Sequence, residues 1–328
     1  MKHEAMQNFQ RNVEPVDPRY VKDIESKLQK DAREYETQNP EVVSWIRESL
    51  SRVDHTKLNT VFQRIASRGG TLNHAGEIVP PERTFVDARK DIGGHSYIGH
   101  INAFSGDEFK ALLQMHTPRE AGTVLFDALC HENAHATGFV DIKIARRGNV
   151  DISGGYEEIV KTGEKINRYQ LFNEGVAEII GELAAGMYLE ESPLELADKS
   201  FLTIDEYDTY VREELMKGTG LSIGQRSLDA REFVCRLAEH VAKALGTPPE
   251  DVVGRLIAGF FRGGGLSAQL GLSLAETVGP DFVAELAGAT TGDDLESLAK
   301  KYHFGELTPH IHQRTMDYLR SDSLVHAA

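Results

Sequence analysis

One uninterrupted run, TPREAGTVLFDALCHENAHATG from Thr117 to Gly138, limits what this chain can fold into more than any other stretch. Threonine caps helices well, proline is tolerated at the first helical position, and glycine is a natural stop. Few residues between them oppose a helix, and Val124, Leu125, Ala128 and Leu129 supply an apolar stripe for packing. In such a helix His131 and His135 lie one above the other, about 5–6 Å apart, so two imidazoles converge on one point. Glu132 sits about 100° round the helix from His131, near that point without competing for it.

Two neutral imidazole nitrogens at this spacing suit a zinc ion, and His-Glu-x-x-His is the pattern of a zinc hydrolase. Zinc lowers the pKa of its water towards about 7, and an adjacent carboxylate can take the proton as that water attacks a carbonyl. With 13 histidines in 328 residues, chance alone would produce the pattern about one time in twenty, so its surroundings must decide. A catalytic zinc has three protein ligands and an open position, which calls for a third ligand on another helix. The segment QLFNEGVAEIIGELAAGMYL offers Glu174, 39 positions beyond His135. Its small residues Gly175, Ala177, Gly181, Ala184 and Ala185 would let that helix lie close against the first. Glu178, one turn on, could accept the remaining N–H of a zinc-bound histidine. The bland alternative is a solvated acidic stripe of Glu174, Glu178 and Glu182, although carboxylates in that register repel and gain from a cation.

His131-Glu132-Asn133-Ala134-His135, followed by Asn173-Glu174-Gly175-Val176-Ala177-Glu178, resembles the gluzincin metallopeptidases, whose third zinc ligand is a glutamate in an NE segment. The resemblance covers roughly residues 90–190. It implies one zinc ion per chain bound by His131, His135 and Glu174, with Glu132 as general base and Glu178 supporting a ligand. It also implies a strand at the cleft edge able to pair with an extended substrate, for which HSYIGHINAF is the candidate, and helical structure on the far side. The ending HENAHATG is similar to the protease-like domain of anti-restriction proteins as well. Gluzincins present a tyrosine or histidine to the developing oxyanion, and spacing does not choose among Tyr156, Tyr169, Tyr207, Tyr210, His240 and His303. His310 and His312 could ligate a second metal or form a solvated helix end. Asp127, one turn before His131, could orient its ring or lie at the surface.

The formal net charge of −15 opposes a broad grip on nucleic acid or anionic membrane, and the pair Arg146-Arg147 is too small to reverse it. The N-terminal segment lacks an apolar secretion signal, and no run of about 18 apolar residues occurs. Two cysteines, Cys130 and Cys235, read as small buried hydrophobes in a reducing compartment, so a cytoplasmic location is expected.

Residues 18–54 read as two amphipathic helices broken at QNPE, either a packing appendage or an arm able to cover the cleft. From Gly69-Gly70 to Phe104 the composition reads as loops and short strands; His95 and His100 would face opposite sides of one strand and could not share an ion. VDIKIARRGNVDISGGYEEIVKTGEKINRY reads as a hairpin and a short helix. Helices are expected over 227–244, 249–261, 267–278, 280–287, 293–302 and 308–319, with RGGGLS as a flexible joint.

The expected class is therefore α+β. An N-terminal helical segment (1–55) precedes a zincin-like mixed α/β region with the motif helix (56–195) and a mainly helical lobe (196–328). The expected activity is hydrolysis of a peptide or protein substrate by a zinc-bound water that Glu132 activates. One other reading is a non-catalytic gluzincin-like or anti-restriction-like regulator that binds a protein partner and has no use for Glu132. Another is a helical protein with an accidental motif, which would hold no zinc.

Overall fold

The computed structural model describes residues 18–68, 76–88, 94–97, 101–144, 150–162, 164–192, 203–217, 219, 225–263, 265–307 and 310–320. The first two helices form as expected, α1 (Pro18–Gln38) and α2 (Pro40–Ser51), parted where Pro40 takes the first position of the second helix. Helix α3 (His55–Arg68), unannounced by the sequence reading, follows directly. Val42, Val43, Ile46 and Leu50 of α2 are buried in the same apolar cluster as Leu125 and Leu129, so α2 packs into the core beside the motif helix.

The stretch HSYIGHINAF is a hairpin rather than one strand. After a 3-10 turn at Pro81–Arg83 come β1 (Thr84–Asp87), β2 (Gly94–Tyr97) and β3 (Ile101–Ser105), in sheet order β1-β3-β2. β1 runs parallel to β3 and β2 antiparallel to it, with Tyr97 opposite Ile101; His100 lies outside the described residues. Central β3 is buried throughout, its Ile101 and Ala103 under Leu28 of α1 and its Phe104 in the main cluster. Folding back buries both faces of β3, which a single long strand would not do.

Ser105 caps α4 (Gly106–Met115). Helix α5 (Pro118–Thr137) then starts with a full capping box between Thr117 and Glu120. Its end differs in cause from the expectation: Gly138 has φ −63, an ordinary value, so it supplies no left-handed turn. It must be small because a Cβ there would lie 2.6 Å from the Phe260 ring.

The charged connection also departs from the expected hairpin and short helix. It forms a four-stranded antiparallel meander, β4 (Val140–Ile144), β5 (Val150–Gly154), β6 (Glu157–Thr162) and β7 (Glu164–Arg168). Ile142, Ile152 and Ile159 stand in one cross-strand row, and Val160 pairs with Ile166. A period of two is written in VDIKI and VDIS, where Val140, Ile142 and Ile144, and Val150 and Ile152, alternate with polar residues. Arg146 and Arg147 lie outside the described residues.

Helix α6 (Gln170–Glu191) runs through the core: from Leu171 to Tyr188 every residue except Glu174 is buried. Helix α7 (Ile204–Thr209) continues as a π-helical turn over Tyr210–Met216. The remaining helices follow the expected segments closely: α8 (Gln225–Leu245), α9 (Pro249–Arg262), α10 (Gly265–Thr277), α11 (Pro280–Gly288), α12 (Gly292–Lys301) and α13 (Ile311–Arg320). Within RGGGLS the chain turns at Gly263, with φ +57. The class is α+β, mostly helical with two small sheets. No helix among the described residues is long and apolar enough to cross a membrane.

Candidate metal centre

Helices α5 and α6 touch backbone to backbone at Gly181. A Cβ there would lie 2.9 Å from both N and Cα of His131 and 3.2 Å from the carbonyl carbon of Cys130, so a side chain would force the helices apart. Gly175 serves a different neighbour: its Cβ would meet the Ala230 carbonyl oxygen on α8 at 2.4 Å. The small residues of α6 thus admit α5 on one side and α8 on the other.

This crossing gathers His131, His135 and Glu174. The two imidazole Nε2 atoms are 3.2 Å apart, and Glu174 Oε2 is 3.4 Å from each. A tetrahedral zinc with bonds of about 2.0–2.1 Å needs ligand atoms about 3.3 Å apart, so both the donor set and its spacing fit that ion. Among the described residues this is the one group of His, Cys, Asp and Glu side chains gathered closely enough to hold a metal. Glu132 is 5% exposed and close enough to His131 to raise that ring's pKa.

Each histidine has a partner behind it. Glu178 Oε2 lies 2.6 Å from His131 Nδ1, off the straight line of the ring N–H, so a small rotation would complete a bond that leaves Nε2 as the lone-pair nitrogen. Asn173 Oδ1 accepts the Tyr156 backbone N–H at 2.8 Å, which turns its Nδ2 to His135 Nδ1 at 3.5 Å. Ligation through His135 Nε2 requires its proton on Nδ1, which this amide orientation does not accept.

Glu178 and Glu182 do not form the solvated stripe. They are 4% and 2% exposed and face two guanidiniums. Arg212 Nη2 is 3.4 Å from Glu178 Oε1 and also pairs with Glu182 and Asp208. Arg231 Nη1 is 2.8 Å from Glu182 Oε1 and 2.9 Å from Asp208 Oδ2. Asp127 accepts a bond from the Tyr207 hydroxyl at 3.3 Å, so it serves this cluster and leaves the ring of His131 to Glu178.

The electrostatics follow from burial set against neighbours. Burial by itself would lower the pKa of His131, but Glu178 and Glu174 outweigh it and hold the ring well above its ordinary range. Burial would raise Glu178, yet His131, Arg212 and Arg231 bring it down to about 2. Asp127 is pushed up to about 7 by burial and by the charge of Glu178.

Of the six oxyanion candidates, Tyr207 reaches this charge cluster through its hydroxyl, which donates to Asp127. The Tyr156 hydroxyl donates to the Leu256 carbonyl at 2.8 Å, and it is the backbone of Tyr156 that supports Asn173. Tyr169 starts α6 with φ 56, Tyr210 is buried at the head of the π-helical turn, His240 packs on Phe304, and His303 sits at φ 58 after α12. His310 pairs with Asp205 at 2.7 Å, and the side chain of His312 lies outside the described residues. Both cysteines are buried and free.

Sequence reasoning missed Arg212, Asp208 and Arg231. Arg231 left a signal, since it falls in helical register with Val234, Ala238 and Val241, all buried. A charge on an apolar face needs a buried partner. Asn133, inside the motif, also has a role unread in the sequence: its Oδ1 accepts the Val79 N–H at 2.8 Å and ties residues 76–79 to α5. In comparisons with known proteins the chain matches no family model, no curated protein and no solved structure.

Proposed function

We propose that this chain is a zinc-dependent metallopeptidase of gluzincin type, acting on a peptide or protein substrate in the cytoplasm, with a zincin-like catalytic region over about residues 56–195. The observation that carries this reading is the triangle of His131 Nε2, His135 Nε2 and Glu174 Oε2, with edges of 3.2, 3.4 and 3.4 Å, beside a glutamate. A zinc ion held there would supply Lewis acidity, polarising a peptide carbonyl and acidifying a water. Glu132 takes the proton of the attacking water and delivers it to the leaving amine. Glu178 keeps the His131 proton on Nδ1. Strand β2, at the edge of its sheet among the described residues, packs against α5 and offers backbone groups to an extended substrate.

The burial of Glu132 favours one second reading, a scaffold that binds a protein partner without cutting it. Zinc analysis of the native chain, Glu174→Ala and Glu132→Gln separates the two. The peptidase reading expects about one zinc per chain, weakened at least tenfold by Glu174→Ala. Glu132→Gln should keep the zinc and lose turnover, by about 10²-fold or more. Partner binding with no cleavage, with or without zinc, would establish the scaffold; no zinc at all would exclude the peptidase.

A further inference from the structure

We propose that Arg212 is a positioning residue for the metal centre, acting on His131 through Glu178, while Arg231 and Asp208 hold Glu182 in place beside it. The proposal rests on the metal-centre reading above. Glu178 and Glu182 stand one turn apart on α6, both buried, and two like charges at that spacing repel. Without compensation one of them would turn away or take up a proton. The structure supplies two guanidiniums whose side chains are 14% and 12% exposed. Arg212 divides its donors among Glu178, Glu182 and Asp208. Glu178 is thereby held at both ends, Oε1 by Arg212 at 3.4 Å and Oε2 at His131 Nδ1 at 2.6 Å. Arg231 joins the same Glu182 oxygen, Oε1, to Asp208 Oδ2, at 2.8 and 2.9 Å.

Two further observations single out Arg212. It lies within the π-helical turn Tyr210–Met216, a geometry that is rare overall and frequent at functional sites. Its three partners come from two elements, Glu178 and Glu182 from α6 and Asp208 from α7, and a planar five-donor fork can serve them together where an ammonium cannot.

The test is Arg212→Lys in the full chain. It preserves the charge balance and removes the fork, with zinc affinity read by chelator competition and the His131 ring tautomer by ¹⁵N NMR. Affinity should fall about tenfold, as for other partners behind a metal ligand, with a changed His131 ring signal. Glu178→Gln should also lose affinity, and adding Arg212→Lys to it should bring no further loss. Arg236→Lys, an α8 arginine bound to Glu296, should leave affinity unchanged. Equal affinity in wild type and Arg212→Lys overturns the positioning role, as does an equal loss in the Glu178→Gln background. An Arg212→Lys chain that fails to fold overturns it too, by showing that the arginine serves the fold first. A wild-type chain that binds no zinc overturns the metal-centre reading itself.

Discussion

Gly181→Ala is the smallest change that should damage the centre without touching a ligand. The added Cβ would stand 2.9 Å from two backbone atoms of His131 and 3.2 Å from one of Cys130. Carbon atoms rest at about 3.5–4.0 Å, so α6 must retreat from α5 by roughly 0.6–1 Å. Helix propensity favours alanine by about 0.5–1 kcal/mol, whereas overpacking costs about 1–3 kcal/mol, leaving a net loss of up to about 2.5 kcal/mol. The larger effect falls on the ligands, because Glu174 rides on α6 and the histidines on α5. A metal site tolerates about 0.5 Å of displacement, so zinc affinity should fall at least tenfold. Chelator competition and thermal unfolding report the two effects. Gly271→Ala on α10, where a Cβ meets nothing within 4 Å, is the control and should stabilise by about 0.5–1 kcal/mol. If Gly181→Ala bound zinc like wild type and melted no lower, the close crossing would be wrong.

Three other outcomes are expected. Zinc must displace the proton that Glu178 and Glu174 hold on His131, so binding at pH 7 should release about one proton, seen as a buffer-dependent heat, and affinity should rise with pH. In the chelated protein the raised His131 pKa stabilises below about pH 6.5 and loses that effect as pH climbs through the folded value. The lowered Glu178 contributes above about pH 4.5 and loses its effect on falling towards about 2. Thermal stability of the chelated protein should therefore peak near pH 5–6.5, and a melting temperature that climbed from pH 6 to 9 would contradict the pairing. Tyr156→Phe should lose about 0.5–1.5 kcal/mol with its bond to Leu256, leaving zinc affinity and turnover untouched; a dead enzyme would return Tyr156 to the oxyanion candidates.

The motif helix was legible because its signals are local: Thr117, Pro118 and Glu120 write the start of α5, and the i, i+4 histidines need only helical geometry. Glu174 and Glu178 could be named because they share one face of a second helix. What brings that face to α5 is non-local. Nothing in the neighbourhood of Gly181 announces the His131 backbone, and Gly175, of the same type on the same helix, meets α8 instead. The second half of the meander escapes a periodicity reading because charges interrupt EEIVKTGEKINR and its Ile159 and Val160 are adjacent, which leaves no apolar alternation. Arg212 was invisible for a different reason: a π-helical turn has neither the period of a helix nor that of a strand.

The division of the centre between distant parts of the chain sets a schedule for its assembly. His131, His135 and Glu174 belong to α5 and α6, whereas the guanidiniums arrive with the π-helical turn and α8. Synthesis proceeds at about 5–20 residues per second, so Arg231 is made roughly 5–20 s after His131. From their own synthesis until then, Glu178 and Glu182 have no cation from α8 to bury against, and α6 has no Ala230 to receive Gly175. The centre is thus completed late. A chain that stopped near residue 195 would carry every candidate ligand and neither of the guanidiniums that balance the charge behind them.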